Sequence, residues 1–361
     1  MERISDYLNK TVAHFESKKI KDPKYYAEKL LAETLKTNRM DIYLQLTRPL
    51  TEEEVTAYRA RIKQFLSDGR TKTSILQALQ LLKQVFRKED IPEADLNAEY
   101  IIAHLIGVKR LELKFIEDRA LTEEELQFLS LYKTRRLNRE PLEYILGTAE
   151  FFARPFFVNK HVLIPRPETE QLIETCIRYL SKFNGSVLDI GTGSGCIPIT
   201  LKKELPNLEL TSIDVSEQAL YTARKNADAH QCNIQFEQCD FLNEALWPHL
   251  PRYHHIVSNP PYISLNEFET LEPEVKLFEP SIALHDKGDG LLFYQKIVQF
   301  AKEHLHPEGY IFLEYGYNQK EALCKYVEEC SYLTMIETLK DYSGHDRLCV
   351  IQKTSEYISP N

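Results

Sequence analysis

The chain has 361 residues, of which 43% are hydrophobic and 27% are charged, with 12 Gly and 17 Pro. This length and composition predict two or three folded domains and exclude a disordered or fibrous protein. No apolar run approaches the roughly 18 residues that span a bilayer, and the N-terminal residues lack the apolar core of a signal peptide. We therefore expect a cytoplasmic protein that has no membrane-spanning segment.

Cysteine content and charge limit the classes of partner. The seven cysteines are an odd number without a C-x-x-C pair, which argues against a disulfide framework and against a metal site. The net charge of −9 opposes a stable complex with nucleic acid, because phosphate contacts need clustered Lys and Arg. Residues 1–147 carry 26 basic against 24 acidic side chains, and the remainder carries 19 against 30. This weak bias favours a protein partner at the N-terminal end, and we expect a monomer.

The N-terminal region contains an internal repeat. Shifting the sequence by 71 residues aligns Ile4 to Leu66 with Ile75 to Leu137 without a gap, and 15 of the 63 positions are identical. Both segments contain LTEEE, in which Thr51 or Thr122 starts a capping box, and both show apolar residues at helical spacing. A duplicated helical unit is therefore predicted. At the end of the second copy, the basic cluster Arg135, Arg136 and Arg139 is typical of a solvated helix end or, alternatively, of a surface that meets an acidic partner.

The pattern changes after the repeat. Aromatic and β-branched runs broken by Pro and Asn predict a β-hairpin linker, and alternating helices and strands follow it. The alternation predicts an α/β fold with a doubly wound, mainly parallel sheet and an antiparallel edge. The predicted domains are residues 1–74 (extra helical copy), 75–147 (second copy), 148–167 (linker) and 168–361 (α/β domain). The predicted strands are Ser186 to Ile190, Leu208 to Asp214, Ile234 to Glu237, His255 to Ser258, Tyr310 to Leu313, Thr334 to Thr338 and Leu348 to Gln352.

A glycine-rich turn follows the first strand of the predicted sheet. Its spacing is G-x-G-x-G rather than the G-x-G-x-x-G of dinucleotide binders, which disfavours a nicotinamide oxidoreductase. Acidic residues end the first three strands, where ligands of such sheets bind. Asp214 suits ribose hydroxyls, and Phe241, after Asp240, suits the flank of a purine. The candidate nucleoside site comprises Asp189, Gly191, Thr192, Gly193, Ser194, Gly195, Asp214, Asp240 and Phe241.

The fourth strand ends in Asn259-Pro260-Pro261-Tyr262. An Asn-Pro turn alone explains this sequence structurally. However, the two prolines remove N–H donors, so that carbonyl groups and the Asn side chain remain as acceptors in a stiff turn. Such acceptors suit both hydrogens of a planar NH₂ group, and Tyr262 suits stacking on it. This turn is therefore the candidate catalytic and substrate-binding segment.

Together these motifs resemble class I S-adenosylmethionine-dependent methyltransferases that act on a planar nitrogen. The chain is more closely similar to the release factor glutamine methyltransferases of the HemK/PrmC family, with Arg166-Pro-Glu168-Thr-Glu and Glu279-Pro-Ser-Ile-Ala-Leu as further matching segments. The resemblance implies S-adenosyl-L-methionine as cofactor, with contacts at Gly191 to Gly195, Asp214, Phe241 and Asn259. It also implies peptide chain release factors as protein partners, methylated on the glutamine of their Gly-Gly-Gln motif.

Two departures from the family pattern and three alternatives remain. Residues 1–74 add a second helical copy, and Leu284 to Gly290 replaces a small glycine-rich stretch. Arg166 and Glu168 either pair structurally or help to order the substrate. The turn sequence is shared with adenine-N6 and cytosine-N4 methyltransferases of DNA or RNA. A third class of function is a non-catalytic adaptor that only binds a translation factor.

Overall fold

The structure is a computed structural model that describes residues 2–20, 22–68 and 73–355. The chain forms two compact units. One contains Met1–Gln84 with Ile106–Phe128, and the other contains Val85–Leu105 with Leu129–Asn361. The second helical copy therefore contributes residues to both units, whereas the sequence predicts a domain of its own at 75–147.

The N-terminal region is helical, as predicted. The first copy consists of α1 (Ile4–Ser17), α2 (Pro23–Leu35), the short α3 (Asp41–Leu44) and α4 (Glu52–Asp68). The second consists of α5 (Ile75–Lys88), α6 (Ala94–Ile106), a 3₁₀ segment (Arg110–Phe115) and α7 (Glu123–Leu137), followed by α8 (Leu142–Leu146).

Local contacts recur in the two copies at the 71-residue offset. Arg48 pairs with Glu54 at 3.0 Å, and Arg119 pairs with Glu125 at 2.7 Å. The isolated β-bridge between residues 3 and 49 has its counterpart between residues 74 and 120. Left-handed backbone also recurs, in the pairs Lys19 and Asp90, Asp22 and Glu93, and Lys36 and Gly107. These matched contacts confirm the predicted duplication of the helical region.

The predicted linker is a two-stranded hairpin of β1 (Thr148–Phe151) and β2 (Arg154–Phe157), followed by α9 (Pro167–Leu180). Phe152 and Ala153 form its turn with φ of 51° and 54°, a conformation that glycine usually supplies. The Phe152 backbone N–H donates to Glu170 Oε1 at 2.7 Å. The first turn of α9 therefore helps to hold the hairpin in this strained shape.

A seven-stranded sheet forms the centre of the α/β domain. Its order is β5-β4-β3-β6-β7-β9-β8; the first five strands are parallel, and β9 pairs antiparallel with both β7 and the edge strand β8. This topology confirms the predicted fold class. The strands are β3 (Ser186–Ile190), β4 (Glu209–Asp214), β5 (Gln235–Gln238), β6 (Tyr253–Ser258), β7 (Leu305–Glu314), β8 (Leu333–Lys340) and β9 (Asp346–Lys353). The helices are α10 (Cys196–Glu204), α11 (Glu217–Ala229), α12 (Leu265–Phe268), α13 (Pro273–Phe278), α14 (Leu292–His304) and α15 (Lys320–Glu328).

Both faces of the sheet are covered. Alternate residues of β3 enter different apolar clusters, with Leu188 and Ile190 on one face and Val187 on the other. β7 begins five residues before the predicted strand because Leu305 pairs with Tyr253 before a register shift. Within the described residues, every helix is too short or too polar to cross a bilayer.

Candidate active site at the carboxyl edge of the sheet

Three neighbouring strands bring the predicted motifs to one edge of the sheet. Ile190 of β3 is the register partner of Ile213 in β4 and of Ser258 in β6. The glycine-rich turn, Asp214 and Asn259 therefore lie next to one another along this edge of the sheet. The strand order reverses at β3, which is where α/β sheets of this type bind ligands.

The glycine-rich turn is shaped for close approach of a ligand. Gly191, Gly193 and Gly195 have φ of 77°, 55° and 81°. A Cβ atom built at Gly191 or Gly193 meets no atom within 4 Å, so the space beside these two residues is open. A Cβ at Gly195 lies 3.1 Å from Ala223, because here the turn packs on α11. The first two glycines thus face open space, and the third permits close helix packing.

Asp214 is held in place by backbone groups of the turn. Its Oδ2 accepts from the Gly193 N–H at 3.0 Å, and its Oδ1 accepts from the Ser216 N–H at 2.9 Å. Burial raises the pKa of this carboxyl, and these N–H donors oppose the rise. A carboxylate has about four lone-pair sites, so both oxygens retain capacity for ribose hydroxyls. The residues present at this position therefore fit a nucleoside.

The two candidate residues after the third strand, Asp240 and Phe241, differ in exposure. Asp240 is exposed and its Oδ1 accepts from the Leu242 N–H at 3.1 Å. Phe241 is only 4% exposed, and its ring packs on Trp247 and Phe300. The ring therefore belongs to the core and presents little surface to a purine in this structure.

Asp189 lies beneath the glycine-rich turn with no exposed surface. The buried hydroxyls of Thr192 and Ser212 lie near its carboxylate and oppose the effect of burial on its pKa, although none of these atoms makes a hydrogen bond of ordinary geometry within the described residues. Burial raises the pKa of Asp189 to about 7. The Asp189 side chain is therefore enclosed and presents no surface to a ligand in this structure.

The Asn259 turn is tied to two other elements through a chain of hydrogen bonds. Asn259 Nδ2 donates to Thr169 Oγ1 at 2.9 Å, and Thr169 Oγ1 donates to Glu314 Oε2 at 2.6 Å. The Tyr262 hydroxyl donates to Glu314 Oε1 at 3.1 Å. The turn of β6, the start of α9 and the end of β7 are thereby connected at one buried carboxylate.

The backbone of the same turn is fixed as well. The carbonyl oxygen of Tyr262 accepts from Gln319 Nε2 at 2.7 Å, and Gln319 Oε1 accepts from the Tyr294 hydroxyl at 3.1 Å. A Cβ atom at Gly290 would lie 2.1 Å from that carbonyl oxygen. The Leu284–Gly290 loop, which departs from the family pattern, therefore packs directly against the turn.

Arg166 and Glu168 do not pair with each other as the sequence allowed. The Arg166 guanidinium lies 2.6 Å from Glu279 Oε1, and the Glu279 side chain is 1% exposed. Burial raises the pKa of Glu279 and nearby Arg166 opposes the rise. The two segments that carried the family resemblance thus contact each other. Glu168 stays half-buried in the first turn of α9, next to Thr169.

Sequence reasoning missed three residues of this site, namely Thr169, Glu314 and Gln319. Thr169 stands between two acidic residues of the Arg166–Glu170 segment, so the motif itself was the available signal. Glu314 directly follows the predicted strand Tyr310 to Leu313, and an acid at a strand end was the signal used elsewhere. Gln319 carries no such signal.

Comparison with models of known protein families identifies both the helical region and the α/β domain. The family model described as PrmC N-terminal domain matches residues 6–68 and again residues 77–147. The methyltransferase small domain model matches residues 169–334. Both helical copies are therefore recognised as the same module, ahead of a methyltransferase domain.

Individual relatives match over most of their length. A release factor glutamine methyltransferase from Fusobacterium nucleatum is 35% identical, and the match covers 88% of this chain and 93% of that protein. A relative of the same name from Geobacter sulfurreducens is 37% identical, and the match covers 76% of this chain and 95% of that protein. Another from Thermodesulfovibrio yellowstonii is 34% identical, and the match covers 77% of this chain and 99% of that protein. With these matches and the site geometry, the chain belongs to the release factor glutamine methyltransferase family.

Proposed function

We propose that this chain transfers the methyl group of S-adenosyl-L-methionine to the side-chain amide nitrogen of the Gly-Gly-Gln glutamine in peptide chain release factors. The observation that carries the proposal is the register pairing of Ile190 with Ser258, which starts the glycine-rich turn and the Asn259 turn side by side. A nucleoside site and a carboxamide site at adjacent strand ends suit direct transfer between their ligands.

The cofactor supplies an electrophilic methyl group on a positively charged sulfur. We assign its nucleoside and methionine parts to the open side of Gly191 to Gly195 and to the Asp214 carboxylate. Thr192 and Ser194 belong to that turn, and Asp240 and Asn259 complete the assigned set, whereas the predicted Phe241 ring is buried in the core. Asp189, which is enclosed beside the turn, stays a predicted member of the set.

Asn259 and the Pro260 and Pro261 carbonyl groups would hold the glutamine amide. An amide nitrogen is a poor nucleophile because its lone pair is delocalised into the carbonyl group. Acceptors on both N–H bonds favour a pyramidal nitrogen and stabilise the positive charge that develops as the N–C bond forms and the S–C bond breaks. The N-protonated amide that results is a strong acid, so its proton passes to water without a strong base.

Recognition of the protein substrate is assigned to the junction and the helical copies. Arg166 is part-exposed while paired with Glu279, so it orders the junction and still faces solvent. Glu168 lies next to Thr169 in the first turn of α9 and is half-buried. The names of the relatives and the two N-terminal modules favour a release factor over DNA or RNA as substrate.

The direct test is transfer of labelled methyl from the cofactor to a purified release factor. We expect label in the factor with a Gly-Gly-Gln motif, and none when its glutamine is changed to alanine. Label that persists in the altered factor would contradict the assigned substrate. Label in nucleic acid and not in protein would favour the adenine or cytosine methyltransferase class.

A further inference from the structure

The Glu314 carboxylate occupies a central place in the candidate site. It ends β7, whose Leu313 is the register partner of Ser258, and its side chain is 1% exposed. Each of its oxygens accepts a hydrogen bond from one hydroxyl group, Oε2 from Thr169 and Oε1 from Tyr262. Thr169 is itself only 2% exposed, so water has little access to this pair.

These contacts determine the direction of each hydrogen bond in the series that links Glu314 to Asn259 and Tyr262. An ionised carboxylate only accepts, and a hydroxyl has a single hydrogen to donate. Because Thr169 donates to Glu314, its oxygen can only accept from Asn259, which must present its Nδ2 there. Asn259 Oδ1 is then the atom of this side chain that remains for the substrate. Tyr262 has likewise given its hydrogen to Glu314, so its oxygen can only accept from a further group.

We propose that Glu314 is a positioning residue that fixes the donor and acceptor directions of the Asn259 turn, so that Asn259 presents its Oδ1 to the substrate NH₂ group and the Tyr262 side chain is held in place. The inference rests on the proposed function, because it specifies how that site selects a carboxamide. It assigns Thr169 as the residue through which Glu314 acts on Asn259. Neither residue touches the substrate.

The charge state of Glu314 is set by a few neighbours. Burial raises its pKa above the ordinary value, while the hydroxyls of Thr169 and Tyr262 and the nearby Arg347 oppose the rise. Other titratable groups around it are Glu168, which further raises its pKa, Cys196, and Tyr294, whose hydroxyl bonds the Glu314 carbonyl at 3.4 Å. Protonated Glu314 would donate one hydrogen bond, so the hydrogen bond with either Thr169 or Tyr262 would have to reverse its direction. Turnover should therefore fall as the pH drops through the pKa of Glu314.

Glu314→Gln tests the inference with almost no change of shape. A glutamine has one acceptor oxygen and one NH₂ group, so only one hydroxyl can still donate to it. The other must reverse or be lost. Reversal at Thr169 turns the Asn259 amide so that a hydrogen faces the substrate, and loss of the Tyr262 bond releases that side chain from its position in the turn. We expect kcat to fall about 100-fold, as for loss of one group of a preorganised polar site. The dissociation constant of the cofactor should change less than about 3-fold, and the low-pH loss of turnover due to Glu314 should disappear.

Thr169→Val and Thr169→Ser form a matched pair. Valine keeps the volume and removes the hydroxyl, which frees the Asn259 amide to turn, whereas serine keeps the hydroxyl. We expect at least about a 10-fold loss of kcat for valine and near wild-type turnover for serine. If Glu314→Gln fails to fold, as a melting curve would show, this pair still decides the question.

A readout without turnover separates this inference from the proposed function. In protein labelled with ¹⁵N in asparagine side chains, the Asn259 NH₂ signal should exchange with water faster in Thr169→Val than in wild type or Thr169→Ser. If wild type binds cofactor but methylates no release factor, the proposed function fails while this exchange difference can still be observed. Equal exchange rates, or kcat values for both Glu314→Gln and Thr169→Val within about 3-fold of wild type, would overturn the inference.

Discussion

At the scale of single residues, the candidate site depends on backbone atoms as much as on side chains. The carbonyl oxygen of Tyr262 is held by Gln319 and borders Gly290, whose φ is 81°. Two separate demands therefore require glycine at position 290. One is the left-handed backbone, and the other is the absence of a Cβ beside the Tyr262 carbonyl.

Gly290→Ala should consequently damage the site more than an ordinary glycine substitution. Alanine in left-handed backbone costs about 1 kcal/mol, and here its methyl group would also displace the Tyr262 carbonyl. Gly344→Ala is the matched control, because Gly344 has φ of 87° and open space around its Cβ position. We expect kcat to fall at least about 10-fold for Gly290→Ala and to stay near wild type for Gly344→Ala. Similar kcat values in steady-state assays of the two variants would contradict this account.

At the scale of elements, one pair of equivalent positions makes contacts of opposite character in the two helical copies. In the first copy, the rings of Tyr26 and Phe65 pack with their centroids 4.8 Å apart. The residues 71 positions later are Asn97 and Arg136, and Arg136 Nε donates to Asn97 Oδ1 at 2.6 Å. Arg136 also contacts Glu274 of α13 at 2.8 Å. A polar contact in the second copy thus extends to the methyltransferase domain, where the first copy has an apolar contact.

The expectation that Arg136 lies at a solvated helix end is therefore wrong. Its side chain is 2% exposed because it bridges α6, α7 and α13. Arg136→Ala would leave Glu274 and Asn97 without this partner, and breaking a buried ion pair costs about 3 kcal/mol. Arg87→Ala, which breaks the exposed pair with Asp95, should cost less than about 1 kcal/mol. Urea unfolding of both variants tests the contrast, and equal losses of unfolding free energy would refute it.

At the scale of the whole molecule, one buried histidine links global stability to pH. His255 lies in β6 with 1% exposure, and its Nδ1 accepts from the Tyr310 N–H at 3.2 Å. Burial, with a smaller contribution from His254, lowers the pKa of His255 to about 4. The folded chain therefore holds this ring neutral, while the unfolded chain takes up a proton near its ordinary pKa of about 6.5. Stability from this group is complete above pH 6.5 or so and is lost as the pH falls towards 4.

His255→Gln should remove this part of the acid sensitivity. We expect the wild type to lose about 3 kcal/mol more unfolding free energy than the variant between roughly pH 7 and pH 4. His254→Gln, at the exposed neighbouring position, should stay close to the wild-type curve, because burial is the larger cause of the pKa shift. Denaturant unfolding at a series of pH values gives the comparison. Parallel curves for wild type and His255→Gln would show that His255 is not the group responsible.

The sequence predicted those parts of the molecule that depend on local pattern. Glycine spacing, strand-end acids and the Asn259 turn indicated the sheet and its functional edge, and the 71-residue offset indicated the duplication. The sequence could not show that Thr169 bonds both Asn259 and Glu314. Asn259 lies 90 residues from Thr169 along the chain, and Glu314 lies 145 residues from it. Nor could it show that Phe241 is buried, since apolar residues after strands serve cores and ligand sites alike. Only the packing of α9 and β7 beside β6 brings these groups together.

The central claim is that the Asn259 turn holds a carboxamide beside the cofactor turn, and Asn259→Ala tests it most directly. Calorimetric titration with S-adenosyl-L-methionine and single-turnover methylation of a release factor should be measured on the same preparation. We expect cofactor binding to be partly retained, because Gly191 to Gly195 and Asp214 are unchanged, while methyl transfer falls at least about 100-fold. Methyl transfer at the wild-type rate would contradict the claim.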